Sequence, residues 1–115
     1  MLEFRECELT ELQDLSDPIV SIHLEFKFTE GYMVQYAKTL TSLVKDVKIV
    51  SSQGEIIKSN VQPLWLYDRP FLLLFPIDDV YVPSDAKLRV NLAHVPHLIS
   101  ITPTFWSRRR MWASL

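Results

Sequence analysis

Cysteine occurs once in the 115 residues, at Cys7, and glycine only twice, at Gly31 and Gly54. A lone thiol closes no internal disulfide, which excludes the stapled mini-proteins of oxidising compartments. Two isolated glycines cannot build a phosphate-cradling loop, and there is no Gly-x-Ser-x-Gly nucleophile elbow. Asn60 and Asn91 are followed two places on by Gln62 and Ala93, so the glycosylation acceptor pattern is missing. Phe71 to Phe75 is the longest apolar run, against the roughly 20 residues of a membrane helix. The opening residues Met1-Leu2-Glu3-Phe4-Arg5-Glu6 lack the apolar core of a signal peptide. These absences predict a soluble, intracellular protein with no membrane segment.

What is present suits a folded domain. Hydrophobic residues make up 48% and charged residues 23%, too apolar for a disordered chain. A domain of this length buries roughly 65% of its unfolded surface, so it needs neither disulfide nor metal.

Charge is laid out unevenly. Residues 1–30 carry a net −6 (Glu3, Glu6, Glu8, Glu11, Asp14, Asp17, Glu25 and Glu30 against Arg5 and Lys27), and 31–84 balance. Residues 85–115 carry +4, from Lys87, Arg89, Arg108, Arg109 and Arg110 against Asp85. Opposite charge at the two ends allows attraction within one molecule or between copies, and head-to-tail contacts between copies build rings or filaments.

Alternation dominates the pattern. Val20, Ile22, Leu24, Phe26 and Phe28 interleave with Ser21, His23, Glu25 and Lys27, which predicts a half-buried strand from Pro18 to Thr29. His23 falls on its solvent face. Tyr32, Met33, Tyr36, Leu40, Leu43 and Val44 share one helical face behind a Thr29 cap, predicting a helix over about 30–44. Thr10 and Gln13 have capping-box spacing for a short turn ahead of Leu15.

From Asp46 onward strand signals recur. Val47–Ile49 and Ile56–Lys58 flank Ser51-Ser52-Gln53-Gly54 as a hairpin. Further strands are read at Pro63–Tyr67, at Phe71–Phe75 closed by Pro76, at Ala86–Val95 and at His97–Thr102. The apolar run Phe71–Phe75 should be covered on both faces. The fold class expected is mainly β: an antiparallel β-sandwich or small barrel of six to seven strands with one α-helix packed on it. Residues 1–104 form a single β-rich domain, and 105–115 a basic-aromatic C-terminal arm.

No catalytic residues are assigned. Cys7 sits among Glu3, Glu6 and Glu8, a poor setting for a nucleophilic thiol. Asp78-Asp79 are adjacent, so a strand would separate them onto opposite faces, and a turn before Val80 is the plainer account. His94 and His97, three apart across Pro96, lack the helical period that brings zinc-binding histidines together, so no metal and no cofactor is expected.

The most unusual composition is Phe105-Trp106-Ser107-Arg108-Arg109-Arg110-Met111-Trp112. Guanidiniums flanked by indoles suit docking on a protein partner or on another copy, through Trp106, Arg108, Arg109, Arg110 and Trp112. The bland alternative is a tail folded back on the domain. The leading expectation is a non-enzymatic structural or assembly module acting through protein–protein contacts, of the kind found as accessory subunits of virions or large complexes. A small-ligand or carbohydrate-binding β domain using Trp65, Tyr67 and Tyr81 is the alternative. Single-stranded nucleic-acid binding through the arm is a third, opposed by a pI near 5.9.

Overall fold

The computed structural model describes residues 3–9, 18–32, 40–60, 63–66, 68–82, 85–93 and 95–107. Among them eight strands occur: β1 (Phe4–Leu9), β2 (Ile19–Phe28), β3 (Val44–Val50), β4 (Ile56–Asn60), β5 (Leu64–Leu66), β6 (Arg69–Val80), β7 (Lys87–Ala93) and β8 (Leu98–Ser107). They form two antiparallel four-stranded sheets, sheet A in the order β1-β7-β3-β4 and sheet B in the order β5-β6-β2-β8.

The alternation of β2 organises the core. Ile22, Leu24 and Phe26 point inward opposite Phe75 and Leu73 of β6 and Phe105, Pro103 and Ile101 of β8. Val47 and Ile49 of β3 with Leu88 and Val90 of β7 meet them from sheet A, in one continuous buried cluster. Burying each of these large apolar side chains is worth about 1.5–3 kcal/mol. No helix among the described residues is long and apolar enough to cross a membrane.

Several expectations are corrected. The sandwich has eight strands rather than six or seven. The extra one, β1, has no apolar alternation to announce it; it pairs along its whole length with β7, and its acids face the bases of β7 and β3. Of the helix read over 30–44, residues 33–39 lie outside the described residues, and none of the described residues is α-helical. At its far end Leu40–Ser42 is one 3-10 turn and Val44 already belongs to β3. The Leu43 carbonyl accepts a hydrogen bond from the Ala93 amide at 2.7 Å, tying this stretch to the end of β7 instead of a helical turn. Leu40 and Leu43 are buried as the apolar stripe implied, under different backbone geometry. The turn read near Thr10 also falls outside the described residues.

Pro76 does not end its strand. β6 runs on to Val80, with the backbone of Asp78 and Asp79 in the strand rather than a turn. Among the described residues β5 pairs with β6 no further than Leu74, so beyond that point proline's missing N–H costs no ladder bond to β5. Likewise β8 continues past Thr102, through Pro103, to Ser107, because β8 is an edge strand. Phe105 is 8% exposed within the core cluster, so 105–107 belong to the sheet.

The β3–β4 hairpin follows the sequence reading closely. Ser51 Oγ accepts the amides of Gln53 and Glu55 at 3.2 and 3.1 Å, and Gly54 takes a φ of 84°. Only glycine adopts that conformation without steric cost.

Candidate functional site

The two outer faces of the sandwich differ in kind. On sheet A, Glu6 lies 3.6 Å from Lys48 and 3.7 Å from Arg89, and Glu8 lies 3.6 Å from Lys87 and 3.3 Å from Arg89. Asp46 adds a contact to Lys48 at 4.0 Å. Acids of the N-terminal region and bases of the 85–115 region thus attract within one molecule. All six side chains are partly exposed, so each pair contributes under about 1 kcal/mol.

Among the described residues sheet B carries no such lattice. Because Ile22, Leu24, Leu73 and Phe75 face the core, their strand neighbours face outward. Cross-strand register sets Leu64, Leu74, His23 and Thr104 in one row, Pro76, Ser21 and Trp106 in the next, and Leu72, Glu25 and Thr102 in a third on the other side. Leu64 is 52% exposed and Pro76 is exposed, while Leu72 and Leu74 are half-buried. The outer face of β6 is therefore Leu72, Leu74 and Pro76, a row of apolar groups where β2 carries polar ones.

Within this face His23 and Trp106 stack, with ring centroids 4.9 Å apart and planes 14° from parallel. His23 is half-buried, which corrects its reading as an exposed residue on a solvated face. Ser21, between Pro76 and Trp106, is 2% exposed, and its hydroxyl has no hydrogen-bond partner among the described residues. A cleft of about 280 Å³ opens at the third row, lined by Glu25, Asp68, Arg69, Pro70, Phe71 and Leu72.

Of the arm residues singled out in the sequence, Trp106 belongs to β8 and to this face. Arg108, Arg109, Arg110 and Trp112 lie outside the described residues. The aromatic trio of the ligand-binding alternative does not converge. Trp65 packs against the core opposite Leu73 and donates its indole N–H to the Pro70 carbonyl at 3.0 Å. Tyr81 is 73% exposed just past the end of β6, about 25 Å along the strand from Leu73. Tyr67 lies outside the described residues.

Of the histidine pair, His94 lies outside the described residues, and His97 stacks on Tyr32 with centroids 3.6 Å apart. Among the described residues no three His, Cys, Asp or Glu side chains gather as metal ligands. Sequence reasoning missed the cleft and the partnership of His23 with Trp106. The only signal for the latter was that His23 and Trp106 each occupy the outward phase of their strands. Compared with protein families, curated proteins and solved structures, the chain matches none.

Proposed function

We propose that this chain is a non-enzymatic assembly module that acts through protein–protein contacts, as an accessory subunit of a virion or a larger complex. One observation carries the reading: the outer face of sheet B bears an apolar strip, Leu64, Leu72, Leu74 and Pro76, beside the polar row of β2. A two-layer sandwich needs one apolar face per sheet, and sheet A obeys that rule with its ion-pair lattice outside. Leu64, Leu72, Leu74, Pro76 and Trp106 on the outside of sheet B exceed that need, and an apolar patch rimmed by polar groups is the ordinary build of a contact surface. The basic run Arg108–Arg110 follows β8 directly in the sequence.

Photo-crosslinking from chosen positions, in the cells that naturally make the protein, tests this. A crosslinker at Leu64 or Leu72 is expected to give discrete protein adducts, and one at Gln53, in the β3–β4 hairpin, none. Absence of adducts at both sheet B positions, or the same adducts from Gln53, overturns the reading.

A further inference from the structure

The acids of β1 are already engaged within the molecule. Glu6 and Glu8 pair with Lys48, Lys87 and Arg89, so β1 is not an open acidic acceptor for the Arg108–Arg110 run. The cleft at the third row of sheet B is different. Glu25 and Asp68 outnumber Arg69, and among the described residues neither carboxylate forms an ion pair. Pro70, Phe71 and Leu72 supply apolar wall beside the carboxylates. The segment Trp106-Ser107-Arg108-Arg109-Arg110-Met111-Trp112 has the complementary mixture, cations interleaved with aromatic and thioether groups. Arginine forks onto a carboxylate through two hydrogen bonds while its flat face lies on apolar or aromatic surface.

Resting on the contact-module reading, we propose that this cleft receives the arginine run of a second copy, so that molecules join head to tail. Register decides between the molecule's own arm and a neighbour's. Ser107 pairs with Ile19, and Glu25 pairs with Thr102, so β8 arrives at Ser107 running away from the cleft. Six residues of β2 separate Ile19 from Glu25, about 20 Å of strand. Reversing the chain takes a four-residue turn, but Arg108, Arg109 and Arg110 stand only one to three residues past Ser107. They cannot turn and travel back in their own molecule, whereas a neighbour presents them from outside. Arm and cleft are different surfaces, so the contact is heterologous and propagates into a ring or an open chain.

Light scattering on a sizing column, with complementary variants, tests this. Wild-type protein is expected to exceed 13.4 kDa at low salt, to grow with concentration and to return to monomer at high salt. A chain ending at Ser107 keeps the cleft without the arm, and Glu25→Arg/Asp68→Arg keeps the arm without the cleft. Each alone is expected to be monomeric, its association weakened at least about ten-fold. Their equimolar mixture is expected to give a species of twice the monomer mass and nothing larger. If the truncated chain does not fold, Arg108→Ala/Arg109→Ala/Arg110→Ala takes its place.

A variant that still associates alone, or a mixture that stays monomeric, overturns the head-to-tail contact. So does a wild-type chain that is monomeric at every salt and concentration. None of these results touches crosslinking from Leu64, which lies outside the cleft lining and decides the contact reading separately.

Discussion

Trp106 lies flat against His23 across the β2–β8 pair, joining two residues 83 positions apart on the outside of sheet B. Stacked pairs of this kind are worth about 0.5–1.5 kcal/mol beyond their area. A double-mutant cycle of His23→Ala and Trp106→Ala in urea unfolding is expected to return a coupling energy in that range. Strictly additive single effects would show that the rings are neighbours without interacting.

The two faces of sheet B should respond differently to mutation. Leu73 and Phe75 are fully buried, and truncating either to alanine is expected to cost about 2–5 kcal/mol, cavity term included. Leu64 is half exposed on the outer face, and Leu64→Ser is expected to change stability by no more than about 0.5 kcal/mol. If Leu64→Ser destabilises the monomer as much as the core changes do, that face is covered within the molecule and the contact reading fails.

How much of this was legible follows from the physics of each element. β2 was plain because five apolar residues alternate strictly and one face is buried. The β3–β4 hairpin was plain because Ser51 and Gly54 are turn residues for specific reasons. β1 was not, because its strand state depends on pairing with β7, about 80 residues away in the sequence. The lengths of β6 and β8 were not, because Pro76 and Pro103 break a strand only where a neighbour needs their N–H, and pairing is invisible in one strand's sequence. That Phe71–Phe75 was apolar on both sides was legible. Which residues faced outward, and that they joined Trp106, required the register.

Phe105 is in the core and Ser107 closes the strand, so removing 108–115 is expected to leave the unfolding free energy within about 0.5 kcal/mol of wild type. Removing 105–115 loses Phe105 as well, at about 3–5 kcal/mol. Equal losses from both truncations would place the arm in the folded core.

His97 holds a φ of 76°, in the left-handed region that costs a non-glycine residue about 1 kcal/mol. It is kept there from two sides. Its carbonyl accepts the Thr29 amide at 2.7 Å and the Thr29 hydroxyl at 3.3 Å, while its ring stacks on Tyr32. His97→Ala removes the stack and keeps the backbone cost, whereas His97→Gly removes both. The glycine variant is therefore expected to be more stable than the alanine variant by about 1 kcal/mol, and close to wild type. Denaturant midpoints of the three proteins check the order. If alanine matches glycine, the left-handed turn carries no cost, and the clasp between the end of β2 and the β7–β8 turn rests on the Tyr32 stack and the Thr29 hydrogen bonds alone.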